Sequence, residues 1–205
     1  MEIVTRMSHQ MIYLGRLDDA LGLLGVAESK AKVPAVTALV SSQTGRVYAA
    51  LGDQRQADEH LGQADEQLAD GLGEVPEWVA YFDAGEHAGA RAVSARDLLG
   101  LGRPGGLASR YFRAALKLRA PGFDRVRVMD QVGLAAALFD GGEPEQGIEA
   151  ALWALVNAAR VDSTRVASQL NTLLDAARPY PTAAVNKVRA RVKNLVAARP
   201  RTITA

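Results

Sequence analysis

The sequence predicts an all-α chain of about ten antiparallel helices, and three observations lead there. All 8 prolines fall between apolar-periodic segments or at their starts, where a missing backbone donor does little harm. The stretches between them are rich in Ala, Leu, Arg, Glu and Gln, which are strong helix formers. Alternating β-branched and aromatic runs closed by Asn-Gly turns are missing.

The elements follow from this punctuation. Helices over 2–14 and 17–31 turn at Gly15 and stop before Pro34. Helices over 35–51 and 54–70 turn at Gly52 and run out ahead of Pro76. After an irregular stretch comes 85–101, capped by Asp83 with Glu86 three residues on, the arrangement of a capping box. It turns at Gly102 into 106–118, which Pro121 closes. Helices over 123–141 and 144–159 turn at Gly142, and 163–177 and 182–198 are parted by Pro179 and Pro181. The last has one apolar stripe, Val185, Val188, Val192, Leu195 and Val196, with Lys187, Arg189, Arg191 and Lys193 on other faces. A solvated capping helix explains it; a basic side that binds nucleic acid or a partner is the alternative.

Composition removes several function classes. With no cysteine there is no disulfide framework, thiolate metal site or thiol nucleophile. Three histidines, His9, His60 and His87, are too few for a histidine-rich metal centre, and no metal or other cofactor is expected. Aromatics at 5% leave little for a base-stacking platform. The net charge of +1 hides acidic and basic blocks that alternate along the chain, whereas a nucleic-acid reader would show one dominant basic patch. The longest apolar runs, such as Val132–Phe139, fall far short of the roughly 20 residues of a membrane span. Glu2 and Ser8-His9-Gln10 are foreign to a signal peptide, so the expected location is the cytoplasm.

Four glycine turns share a register. Each of Gly15, Gly52, Gly102 and Gly142 is followed by a short polar link and a small residue: Ala20, Ala57, Ala108 and Gly147. Four residues later stand Leu24, Leu61, Phe112 and Ala151, and seven later Ala27, Ala64, Ala115 and Ala154. Four residues before each glycine stand Met11, Tyr48, Leu98 and Leu138. Glycine ends one helix in a left-handed cap, and small residues let the antiparallel neighbour approach closely. This register resembles the tetratricopeptide repeat (TPR), best over Gly45, Tyr48, Gly52, Ala57, Leu61 and Ala64. The family's early tryptophan is missing, and the third turn carries an extra residue. The resemblance implies a single TPR-like helical-repeat solenoid over 1–205. Its repeats would be 1–33, 35–70, 85–119 and 123–160, with capping helices over 163–198 and an insertion over 71–84.

That insertion carries Pro76-Glu-Trp78-Val-Ala-Tyr81-Phe82-Asp83. Together with the Ala- and Arg-rich composition and Arg165-Val-x-x-x-Leu170-x-x-Leu173, it is similar to the C-terminal TPR sensor region of actinobacterial Cro/repressor-type helix-turn-helix regulators. No helix-turn-helix precedes residue 1, so the expectation is a stand-alone relative or a start further upstream. The resemblance implies a regulatory module linked to bacterial transcription, with no DNA reader in these residues.

Chemical motifs are sparse. Gly100-Leu-Gly102-Arg-Pro-Gly105 has the spacing of a dinucleotide fingerprint, but a helix rather than a buried strand is expected before it. Asp18-Asp19 and Asp65-Glu66 are adjacent on helices and point about 100° apart, unsuited to acid–base work around one substrate. Asp83 and His87 share a face without a third ligand, and Glu59-His60 reads as a solvated face. The chain is read as no enzyme.

Binding candidates come from the repeat register, in which first helices line the concave groove. Transferred by register, the groove positions are Thr5, Arg6 and His9; Ser42, Gln43 and Arg46; Ala92, Val93 and Arg96; and Val132, Gly133 and Ala136. The sharpest set is His9, Ser42, Gln43, Arg46 and Arg96, in which three basic groups recur at one position and could hold an acidic or C-terminal carboxylate. The plainer reading gives those bases to acids of neighbouring helices. Trp78, Tyr81 and Phe82 are read either as a junction pocket for a small molecule or as an apolar plug, and Trp153 as core. The expected partner is a protein or peptide of acidic character, with a homodimer open and no membrane. Direct nucleic-acid binding is not expected without an upstream helix-turn-helix.

Overall fold

A computed structural model describes residues 1–102 and 107–198. The helices are α1 (Glu2–Tyr13), α2 (Leu17–Lys30), α3 (Pro34–Leu51), α4 (Gln54–Ala69), α5 (Ala84–Gly100), α6 (Ala108–Leu118), α7 (Asp124–Asp140), α8 (Pro144–Ala158), α9 (Thr164–Ala176) and α10 (Ala183–Ala197). Among the described residues one 3-10 turn, Glu77–Val79, is absent from the sequence reading. No strand occurs among the described residues. None of their helices is long and apolar enough to cross a membrane.

Local chemistry sets the ends. Gly15, Gly52, Gly102 and Gly142 all adopt positive φ, between 69° and 81°, the conformation that reverses the chain without a Cβ clash. Asp53, Asp83 and Thr182 accept backbone N–H bonds from Gln56, Glu86 and Val185 and so cap α4, α5 and α10. Pro34 and Pro144 occupy first turns, where no donor is needed. The Gly100–Gly105 motif begins at the end of a helix, not a strand, and its Arg103–Gly105 portion lies outside the described residues.

The chain divides into two compact units, Met1–Gly105 and Gly106–Ala205. In the first, α3 is central and contacts α1, α2, α4 and α5. It buries Ala35, Val36, Leu39 and Val47 with Leu24 of α2 and with Val79 and Phe82. A Cβ on Gly45 would lie 2.7 Å from Leu61 Cγ, so the approach of α3 to α4 depends on glycine there. Position for position, Ala20, Ala57 and Ala108 and then Ala27, Ala64, Ala115 and Ala154 are buried.

In the second unit α7 is central, against α6, α8 and α9. Every residue from 131 to 139 is buried, which accounts for an apolar run too short for a membrane. Phe112 of α6 packs on Gly133, and Phe139 on Gly147. Arg119 Nε donates to Asp130 Oδ2 at 2.8 Å in a buried ion pair. Arg127 donates to the carbonyls of Leu116 and Arg119, satisfying the open end of α6. Tyr180 donates to the Phe139 carbonyl at 2.8 Å.

Three sequence expectations need correction. Trp153 is not core: it stands 48% exposed on α8, because the helix turns Ala151, Ala154 and Leu155 inward and Trp153 out. His60 is half-buried and stacks on Tyr48 rather than lying on a solvated face. Val132, Gly133 and Ala136 are buried within the second unit, so that layer offers no groove side chains.

Candidate functional site

A cleft in the first unit gathers two candidate sets that the sequence kept apart. His9 of α1, Leu39, Ser42, Gln43 and Arg46 of α3, Tyr81 and Phe82 before α5, and Glu86 and Ala90 of α5 line it. Leu39, Ser42, Gln43 and Arg46 recur at three- and four-residue steps and therefore share one face of α3. The cleft is shallow, leaving about 20 Å³ for water-sized centres before it opens to solvent.

Its floor is fixed by buried polar bonds. Gln43 accepts from Ser8 Oγ at 2.8 Å, which ties α3 to α1. Ser42 Oγ lies 2.9 Å from His87 Nδ1, and His87 Nε2 lies 3.0 Å from Asp65 Oδ1. The other oxygen of Asp65 meets Arg91. Burial lowers the His87 pKa below its ordinary value; Asp65 opposes the shift and Arg91 adds to it. The neutral ring then keeps its proton on Nε2 for the carboxylate, and Nδ1 accepts from Ser42. The Phe82 ring meets His87 edge-on with centroids 6.4 Å apart.

Serine, histidine and aspartate thus stand in the connectivity of a hydrolytic relay, yet two features deny it the chemistry. Ser42 is only 1% exposed. It also lies inside α3, where backbone N–H groups are committed to the helix and cannot form an oxyanion hole. The relay is a brace that joins α3, α4 and α5 behind the cleft.

The cleft's charge chemistry centres on Arg46. Its Nε is buried without a hydrogen-bond partner, an imbalance that folded proteins rarely leave unsatisfied. Asp97 faces both Arg46 and Arg96; burial pushes its carboxyl pKa up, and the two guanidinium groups pull it down. Tyr81, at the rim, has its pKa raised by burial and by Glu86, against the influence of Arg6, so its hydroxyl stays a donor. The His9 ring packs tilted against Tyr13, with centroids 5.0 Å apart and planes 55° to each other.

The sequence-derived residues divide accordingly. His9, Ser42, Gln43, Arg46, Tyr81 and Phe82 meet in the cleft, whereas Arg96 does not line it and shares with Arg46 only its electrostatic influence on Asp97. Trp78 packs half-buried on the apolar core and Phe82 is buried, so those two serve as plug. Thr5 is buried, and Arg6 is exposed in an ion pair with Glu2. Glu86 and the Asp65–His87–Arg91 brace were not legible as site residues, because their partners lie 22 to 45 residues apart. Among the described residues no group of three or more side chains is placed to hold a metal ion.

No family model and no curated protein sequence matches the chain. A solved structure does: a kinesin light chain-like protein of nearly identical TPR-like repeats from Podosopora anserina, with a TM-score of 0.59 and 16% identity. The match covers 97% of this chain and 96% of that one. At such identity the likeness establishes the fold, an all-α TPR-like helical-repeat fold.

Proposed function

We propose that the chain is a non-enzymatic protein-interaction module whose first unit captures a carboxylate of an acidic partner peptide in the cleft at Arg46. The observation that carries the reading is the buried Arg46 Nε with no acceptor, in a cleft where Tyr81 adds a second donor. A carboxylate would supply the missing acceptor in a charge-assisted bond. Glu86, which also lines the cleft, disfavours a densely charged anion and suits a single carboxylate flanked by neutral or amide groups. The resemblance to sensor regions of actinobacterial regulators supports a cytoplasmic role in transcriptional control, exerted through the bound partner.

A small-molecule sensor is the second reading, and size weighs against it. The cleft leaves only about 20 Å³ for water-sized centres, far under the roughly 300–1,000 Å³ usual for enclosed ligand sites, and the buried Phe82 closes its inner end. A peptide side chain or terminus fits better.

The test is an array of acidic peptides, each made with a free and an amidated C-terminus, read by fluorescence anisotropy. Binders should lose about tenfold or more in affinity with Arg46→Ala, given about 1.5–3 kcal/mol for a charge-assisted bond. Binding indifferent to Arg46 in a folded variant would sink the proposal.

A further inference from the structure

The outer face of α8 breaks the pattern of the array. Glu145, Glu149, Leu152, Trp153 and Val156 advance by four, three, one and three residues, which places them within about 100° of arc, and Arg160 follows in the turn just past the helix end. Leu152, Trp153 and Val156 are 42%, 48% and 44% exposed, while Gly147, Ala151, Ala154, Leu155 and Ala158 cover the inner side. The corresponding positions of α4, Glu59, Gly62, Gln63 and Glu66, carry no large apolar side chain. An apolar centre on a second helix therefore needs a partner more than that helix does.

The charges at the two ends of this face say which partner. The exposed acids Glu145 and Glu149 of α8 precede the apolar centre, and the exposed Arg160 stands in the turn that follows the helix. We propose that a second copy of this chain docks antiparallel on this face, about a two-fold axis between Ala154 and Leu155. That register sets Glu149 opposite Arg160, and Trp153 opposite Val156, and repeats both pairs on the other side of the axis. A parallel pairing would place Glu149 against Glu149. An isologous contact of this kind closes after two subunits. One helix face covers less than the roughly 800 Å² per partner of a standard interface, so the dimer forms and dissociates with concentration. Acids early and a base late also suit the helix dipole of an isolated α8, and a charge swap separates the two explanations.

The experiment is sedimentation velocity on the full chain from about 1 μM to 1 mM, a range that brackets weak association. Wild type should move from monomer to dimer. Glu149→Arg or Arg160→Glu sets like charges face to face and should raise the dissociation constant about tenfold or more. The double variant Glu149→Arg/Arg160→Glu restores the opposite pairing and should recover dimerisation, although it opposes the helix dipole. Trp153→Ala should weaken the dimer without touching charge, and circular dichroism confirms that each variant is folded. A wild-type chain that stays monomeric across the range overturns the proposal. So does a dimer indifferent to these changes, as contact through another face or a lipid-like surface would give, or a double variant no better than the singles.

Discussion

Ser42 Oγ lies 2.9 Å from Nδ1 of His87, and the far nitrogen of that ring lies 3.0 Å from Asp65. The bond spans 45 residues of sequence and holds α5 against α3 beside the cleft. It requires a neutral ring, which burial enforces, so stability should depend on pH in one direction. Above the unfolded-state histidine pKa of about 6.5 neither state carries the proton, and the brace contributes fully. Below it the unfolded chain binds a proton that the native ring resists, so stability falls as pH falls. One such proton is worth about 1.4 kcal/mol per pH unit. Urea unfolding between pH 7.5 and 5 should show the slope in wild type, and a smaller one in His87→Gln. Equal slopes would remove His87 from the account.

Two glycines of α4 and α7 should respond to alanine with opposite sign. Nothing lies within 4 Å of a Cβ built on Gly62, so Gly62→Ala gains helix propensity of about 0.5–1 kcal/mol. A Cβ on Gly133 would come within 2.4 Å of the Phe112 ring, and Gly133→Ala should cost about 1–3 kcal/mol. Thermal melts of the pair check the packing of α6 on α7. Two stabilised variants would mean that Phe112 does not press on Gly133.

The same packing explains how much could be read in advance. All ten helices begin and end within two residues of their expected limits, because prolines and capping glycines act locally and leave a mark in the sequence. Ala57, Leu61 and Ala64 were legible as a buried seam for a similar reason: size and spacing are sequence properties. Tertiary polar pairing is not. Ser42, Asp65 and His87 sit on three helices, and nothing in one helix's pattern announces the other two. Trp153 misleads in the opposite way, since bulk alone suggests burial while its rotation about α8 carries it outward. The cleft lay between these cases: His9 and Arg46 followed from register, but their meeting with Tyr81 depended on how the 71–84 segment returns to α5.

Arg119 and Asp130 form a buried pair, with residue exposures of 7% and 5%, in the turn from α6 to α7. Truncating one partner strips the other of its buried ion pair, so Asp130→Ala should cost about 3–5 kcal/mol. Replacing both by apolar side chains, as in Arg119→Met/Asp130→Leu, should recover much of that loss, since the desolvation of both charges disappears with them. Guanidinium unfolding of the three proteins gives the comparison. A double variant as unstable as the single would assign the cost to lost packing instead of charge.

Asp97 links stability to the cleft. Its carboxyl pKa is raised, chiefly by burial, so the folded protein takes up that proton more readily than the unfolded chain. Ionised Asp97 therefore costs stability at neutral pH despite facing Arg46 and Arg96, and the cost is relieved as pH falls and the group protonates. Asparagine mimics the neutral acid in shape. Asp97→Asn should melt higher than wild type at pH 7, with the difference shrinking toward pH 4. The substitution also removes the carboxylate that competes for Arg46, so an acidic peptide captured by the cleft should bind more tightly to the variant, not less. Melting curves at the two pH values and anisotropy with one peptide test both halves. A variant that melts lower at pH 7 would show that the arginines hold Asp97 ionised at a net gain, and would reverse the sign assigned here to its burial.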